Sequence, residues 1–185
     1  MRKVIYAINI TIDGCCDHTK VGRPDDDLFE YYLQLVRDAD LFVYGRKTYQ
    51  LMVPYWPDVA KDPSEAKTDR DFGEAFVAAN KLVFSRTLDS SDDGKTRIVR
   101  TDLKDEILKA KQQPGKNILA GGVDIPSQLI QLGLVDEYRF MVMPIIAGKG
   151  RRLFEGIGLA ERLRLKLVET KNFKSGSVLL RYLKQ

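Results

Sequence analysis

The run Ala39-Asp40-Leu41-Phe42-Val43-Tyr44-Gly45-Arg46-Lys47-Thr48-Tyr49 decides how this chain folds. Leu41 to Tyr44 are four consecutive apolar residues with two aromatics and a β-branched valine, which suits a strand covered on both faces. Gly45 stops the run and lets the backbone turn sharply or approach a ligand. The residues after it start a helix, whose first turn presents unpaired N–H groups and the positive end of the dipole. Arg46, Lys47 and Thr48 therefore stand where a phosphate would be held. The competing reading is that both cations are solvated charges following a core strand, since short motifs also match by chance.

Outward from that strand the same grammar recurs. Val4 to Asp13 reads as the first strand, with Ile8, Ile10 and Ile12 on one face and Asn9, Thr11 and Asp13 on the other. A polar row on a core strand points to a ligand pocket, and an edge strand is the alternative. Asp25, Asp26 and Asp27 precede Leu28, Tyr31, Tyr32, Leu35 and Val36 at helical spacing, so a helix runs to about Arg37 with the aspartates at its positive end. Strand, helix and strand make a β-α-β crossover. Val53-Pro54-Tyr55-Trp56-Pro57 reads as a stiff aromatic loop, in which Tyr55 and Trp56 either stack on a planar ligand or plug the edge of the core. Asp58 to Arg70 reads as polar and exposed. Phe72 to Ala79 is a helix, Lys81 to Ser85 a strand ending in Ser85-Arg86-Thr87, and Thr96 to Arg100 a short strand. Asp102 caps a further helix that Pro114-Gly115 breaks.

Asn117 to Gly122 is another strand ending in glycine, and Asp124 opens a helix stopped by Gly133. Paired glycines imply a backbone passing very close to something flat or phosphorylated. Strands ending near Gly45, Ser85 and Gly121 thus carry anion-compatible residues to one rim, and in open α/β sheets the ligand crevice lies at the carboxyl ends of the strands. Glu137 to Pro144 is a strand leading to a glycine-containing loop at Gly148-Lys149-Gly150. Leu163, Leu165 and Leu167 alternate with charges and, with Val178 to Leu183, close an antiparallel hairpin.

Composition narrows the class. The chain has 185 residues, ordinary hydrophobic content and a net charge of +4 from 30 Lys and Arg against 26 Asp and Glu. One domain over 1–185 is expected. Its scattered basic residues fit anionic small molecules better than nucleic acid. No stretch is apolar enough to span a bilayer and no signal peptide is visible, so a cytoplasmic location is expected. Cys15 and Cys16 are adjacent, a geometry that disfavours a bridge, and both read as free thiols. One histidine, His18, and no spaced cysteine pairs argue against zinc and against histidine-based nucleophilic catalysis.

Taken in order, these motifs resemble the dihydrofolate-reductase-like superfamily, and within it the branch similar to the C-terminal reductase domain of the bifunctional riboflavin-biosynthesis deaminase-reductase. The resemblance rests on Asn9-Ile10-Thr11-Ile12-Asp13-Gly14, Gly45-Arg46-Lys47-Thr48-Tyr49 with Tyr55-Trp56-Pro57, Gly121-Gly122, Leu134-Val135-Asp136-Glu137 leading to Pro144, and Gly148-Lys149-Gly150-Arg151-Arg152-Leu153-Phe154. It implies a three-layer α/β/α fold on a mixed, mainly parallel sheet with an antiparallel C-terminal hairpin. It also implies an NADPH-dependent oxidoreductase resembling 5-amino-6-(5-phosphoribosylamino)uracil reductase or dihydrofolate reductase, acting on a small pterin- or pyrimidine-like heterocycle. A nucleotide- or pterin-binding module without turnover is the alternative.

By the motif match, Gly45, Arg46, Lys47 and Thr48 meet the cofactor phosphates, Ser85, Arg86 and Thr87 the 2′-phosphate side, and Gly121, Gly122, Val123, Asp124 and Ile125 the pyrophosphate and nicotinamide side. Asn9, Phe29, Tyr32, Tyr55 and Trp56 form the substrate side, and Asp13 is a proton-donor candidate by position alone. The resemblance further implies a cis peptide between Gly121 and Gly122 and a homodimer whose open edge is the strand from Tyr138 to Met143 with the closing hairpin. The chain departs from dihydrofolate reductases at Phe29, which stands where those enzymes carry a pteridine-gripping carboxylate; Glu30 beside it points elsewhere on a helix.

Overall fold

The computed structural model of the chain describes residues 1–22 and 24–185. The first strand, β1 (Val4–Thr11), leads through α1 (Asp26–Arg37) to β2 (Ala39–Gly45). Three helices follow, α2 (Arg46–Met52), α3 (Trp56–Lys61) and α4 (Lys67–Ala78), before β3 (Asn80–Phe84) and β4 (Thr96–Val99). Then come α5 (Leu103–Gln112), β5 (Asn117–Ala120), α6 (Asp124–Gln131), β6 (Glu137–Met143), β7 (Leu165–Asn172) and β8 (Val178–Lys184). The strands join in one sheet of order β4-β3-β2-β5-β1-β6-β8-β7. From β4 to β6 neighbouring strands are parallel, and β8 pairs antiparallel with both β6 and β7. This is the mixed, mainly parallel sheet with a closing hairpin expected from the pattern.

Helices cover both faces. Leu33, Leu35 and Val36 of α1 and Phe72 and Phe76 of α4 pack on Ile5, Phe42, Tyr44 and Val83. On the other face Ile107 of α5 and Leu129 of α6 pack on Val4, Tyr6, Val43 and Ile118. In α1 the Asp25 side chain accepts from the Leu28 N–H, a cap of about 1 kcal/mol. Its buried Leu28, Leu33, Leu35 and Val36 each contribute roughly 1.5–3 kcal/mol, so packing rather than capping holds the helix in place. A buried ion cluster adds direction: Glu137 accepts from Arg139 Nε and Arg181 Nε, each at 2.7 Å, and Arg139 Nη1 donates to the Tyr31 hydroxyl at 2.9 Å. That chain of contacts ties α1 to β6 and β8.

Several expectations are corrected. The first strand ends at Thr11, because Ile12 and Asp13 enter a turn closed by Gly14 at φ +79°. The segment expected to be an aromatic loop becomes a helix from Trp56, with Pro57 inside its first turn, where a missing N–H costs nothing. Val59 and Asp69 are buried within the stretch expected to be exposed. The strand expected to offer an open edge, β6, is interior, lying between β1 and β8. Among the described residues no peptide bond is cis, so Gly121-Gly122 is trans.

Candidate cofactor and acceptor cleft

Parallel order fixes where strand ends meet. β2, β5 and β1 are consecutive in the sheet, so Gly45, Gly121 and Asn9 come to one rim. A cleft of about 1060 Å³ opens there, between the α1 side and the start of α6. Among the residues read from sequence, it is lined by Asn9, Phe29, Tyr32, Gly45, Arg46, Lys47, Thr48, Trp56, Gly121, Gly122, Val123, Asp124 and Ile125.

The glycines are there for close packing. A Cβ on Gly121 would lie 2.6 Å from Tyr44 Cε1, and one on Gly122, at φ +82°, would strike the Thr48 hydroxyl. The close neighbours that the glycine pair accommodates are therefore the chain's own side chains, the Tyr44 ring at Gly121 and Thr48 at Gly122. A Cβ on Gly45 would sit 3.3 Å from Ile125 Cγ1, so the starts of α2 and α6 lie against each other. Neither helix has a side-chain cap at its N-terminus. Two sets of unpaired N–H groups and two positive dipole ends thus converge beside Arg46 and Lys47, an arrangement suited to a diphosphate. The Tyr6 hydroxyl donates to the Gly122 carbonyl at 3.0 Å and pins this turn. Burial pushes the Tyr6 pKa up, so the hydroxyl stays protonated and the bond persists.

Arg151, unassigned from sequence, belongs to this end. Its Nη2 lies 2.6 Å from Asp124 Oδ1, joining the start of α6 to the 148–154 loop. That bond holds the Asp124 carboxyl below its usual range and the Arg151 guanidinium above its own. The glycine-basic run containing Arg151 was visible in the sequence, but nothing in it said which carboxylate it would meet.

The opposite wall is apolar. Phe29 packs on Phe72 and Trp56, with ring centroids 5.3 and 6.2 Å apart. Ala7, Val36, Met52 and Met141 complete it, and none was read as a site residue. The Tyr32 hydroxyl donates to Asn9 Oδ1 in the same wall. Glu30, next to Phe29, is exposed and does not line the cleft.

Five candidates fall outside this lining: Asp13, Tyr55, Ser85, Arg86 and Thr87. Tyr55 is 57% exposed and faces a separate groove. The Ser85 hydroxyl accepts from the Thr87 and Leu88 N–H groups and shapes a local turn. Arg86 and Thr87 are exposed at the end of β3, whose register with β2 sets Phe84 level with Gly45. Asp13 is occupied: Thr11 Oγ1 donates to it at 2.5 Å, and the Ala147 and Gly148 N–H groups at 3.0 Å each. These bonds, the Thr11 hydroxyl first, hold its carboxyl at about 2, so it is an ionised latch between the turn after β1 and the 145–152 loop. A carboxylate in that state has no proton to give near neutrality.

The described residues contain no cluster of three metal-ligating side chains and no helix long and apolar enough to cross a membrane. Cys15 and Cys16 are both free thiols.

The RibD C-terminal domain family pattern matches residues 2–179. The chain belongs to the RibD C-terminal domain family. Within the breadth of that family it is 32% identical to the uncharacterized Bacillus subtilis (strain 168) protein YyaP over 185 residues, covering 98% of this chain and 94% of YyaP. Its fold is similar to a pyrimidine reductase-like protein of Corynebacterium diphtheriae, with TM-score 0.65, 17% identity and coverage of 100% and 92%. Its fold is also similar to the diaminohydroxyphosphoribosylaminopyrimidine deaminase/5-amino-6-(5-phosphoribosylamino)uracil reductase of Thermotoga maritima, with TM-score 0.69, 17% identity and coverage of 100% of this chain and 57% of that one. At such identities these two likenesses speak for the RibD-type fold.

Proposed function

We propose that this chain is an NADPH-dependent reductase of a small pterin- or pyrimidine-like heterocycle, working in the cytoplasm as a homodimer. The observation that carries the reading is the division of one cleft: converging uncapped starts of α2 and α6 with Arg46 and Lys47 at one end, and an aromatic, apolar wall at the other. The residues present fit a dinucleotide. Lys47, Thr48 and the N–H groups from Gly121 to Ile125 would hold the pyrophosphate, and Arg46, helped by Ser85, Arg86 and Thr87, the adenosine 2′-phosphate side. When bound, NADPH supplies the hydride. The chain's own part is to fix the acceptor against the nicotinamide with Asn9, Tyr32, Phe29 and Trp56 and to keep water out. The solved relatives that carry reductase names, and the family to which this chain belongs, support the same reading.

Binding without turnover is the second reading, favoured by one observation: the carboxylate that sequence put forward as acid, Asp13, is held ionised outside the cleft. Titration of the protein with NADPH, followed by turnover with pterins, ribosylaminopyrimidines and quinones, separates the two. We expect NADPH to bind and to be oxidised by at least one acceptor. Binding with no oxidation by any acceptor favours the module, and no binding of NADPH removes the reductase reading and leaves only a module that binds pterins.

A further inference from the structure

Lys81 of β3 is a buried charge that takes no part in the cleft. Its side chain is 2% exposed, with Nζ 4.9 Å from the centre of the Phe76 ring. An ammonium so placed costs free energy unless it is paired. It donates to the Ala79 carbonyl at 2.9 Å, and its counter-charge is Asp93, whose Oδ2 lies at 3.6 Å. Asp93 belongs to the segment between β3 and β4, so the buried cation draws that segment down onto the sheet.

From Asp93 a chain of hydroxyls runs to α2. Asp93 accepts from the Thr96 N–H and hydroxyl, each at 2.8 Å, and from the Ser91 hydroxyl at 2.9 Å. Against the burial that would raise it, those bonds and the Lys81 charge hold its carboxyl below the usual range, so it is ionised and only accepts. Ser91 therefore gives its one proton to Asp93, and its oxygen accepts from the Tyr49 hydroxyl at 2.7 Å. Tyr49 is buried in α2, one turn on from Arg46 and on the same side of the helix. The register of β2 with β3 sets Gly45 level with Phe84, so Arg46 and Arg86 follow strand ends that lie side by side. The Tyr49–Ser91 bond is thus a side-chain tie between the helix that carries one arginine and the segment that carries the other.

We propose that Ser91 and Asp93, with Lys81 beneath them, are positioning residues for cofactor choice: they hold the 85–95 segment to α2 so that Arg46 and Arg86 keep a fixed separation and share one 2′-phosphate. The inference rests on the reductase reading above and adds to it residues that touch no cofactor. Released from Tyr49, the segment would carry Arg86 through many positions. Only NADPH would then bind less tightly, since NADH has no 2′-phosphate to place.

The test is calorimetric titration of the protein with NADPH and with NADH. Wild type should prefer NADPH. Ser91→Ala should weaken NADPH about 10-fold, the factor expected when the binding-competent arrangement falls to about a tenth of the population, and leave NADH within about 2-fold. Tyr49→Phe cuts the same bond and should do the same, and it serves if Ser91→Ala does not fold. The double variant should bind NADPH about as well as either single one, because both changes remove one interaction. NADPH and NADH weakened alike, a preference unchanged in both variants, or losses that multiply in the double variant overturn the inference and leave the reductase reading standing. A wild type that binds neither cofactor, or both equally, defeats the NADPH-dependent reading and this inference with it.

Discussion

At Asp13 a hydroxyl and two backbone amides replace water around a carboxylate, and the exchange sets a pH dependence. Its carboxyl lies at about 2 in the fold against an ordinary 3.8, so the ionised form is the one the native state favours. The stabilisation is complete above the ordinary value and is lost as pH falls from about 3.8 to about 2. We expect Asp13→Asn to flatten the thermal-melting profile across that interval and to lower the melting temperature at neutral pH, where the mutant loses the ionic latch; an unchanged acid limb would show that Asp13 is not the group. Its place in the stretch expected to be the first strand made this residue legible, but not its role, because its partners Ala147 and Gly148 lie 134 and 135 residues away in the chain. Arg46 is the other residue-scale case. Among the described residues its guanidinium makes one hydrogen bond, to Gln50 Oε1 at 3.3 Å, and it stands exposed just past the end of β2, where the proposed 2′-phosphate would meet it. A charged hydrogen bond is worth about 1.5–3 kcal/mol. Arg46→Ala should therefore weaken NADPH roughly 10-fold or more and leave NADH almost unchanged. Equal loss for both cofactors in calorimetry would mean that Arg46 holds the shared pyrophosphate or the fold.

Elements were easiest to read where a long apolar run met a glycine. Gly45 and Gly121 announced the ends of β2 and β5, and α1 announced itself by spacing and by Asp25. The segment from Trp56 to Lys61 was misjudged because two prolines signal a loop in sequence, whereas Pro57 in a first helical turn is at home. Gly73 was equally opaque: inside a helix it reads as a weak point, yet its lack of a side chain lets α3 lie on α4. A Cβ there would come within 2.9 Å of the Trp56 carbonyl oxygen and 3.0 Å of Ala60. Both neighbours are close to rigid backbone, so Gly73→Ala should cost about 1–3 kcal/mol by overpacking, after a gain in helix propensity too small to offset it. Because α3 carries Trp56 and α4 carries Phe72, the change should also weaken acceptor binding while NADPH affinity holds. Denaturant melts together with the two titrations check this, and a stability equal to or above wild type would mean that α3 shifts without cost.

At the scale of the molecule, the β-α-β crossover was legible in alternating strands and helices and the three layers came with the family resemblance, but strand order is not written locally. Nothing local in the sequence says that β5 inserts between β1 and β2, or that β6 is covered by β8, since both pairings join segments remote in the chain. That gap counted β6 among the open edges, whereas of the strand and hairpin named only the hairpin reaches an edge of the sheet. The two outer strands of the sheet are β4 and β7, and on β7 Leu167 is 48% and Val168 40% exposed. Edge-to-edge pairing there is discouraged by a register shift between Leu167 and Glu169 and by Lys166 and Lys171, devices that blunt a free edge. A homodimer would then bury the exposed apolar side chains of the hairpin rather than extend the sheet, through a self-complementary contact. The expected result in light scattering at micromolar concentration is a mass near twice the 21.1 kDa of the chain. Leu167→Asp should return it to the single-chain mass with little change in fold, because a residue half in solvent contributes little to the core. A wild-type mass of 21.1 kDa would sink the dimer; an unaltered dimer in Leu167→Asp would place its contact away from β7.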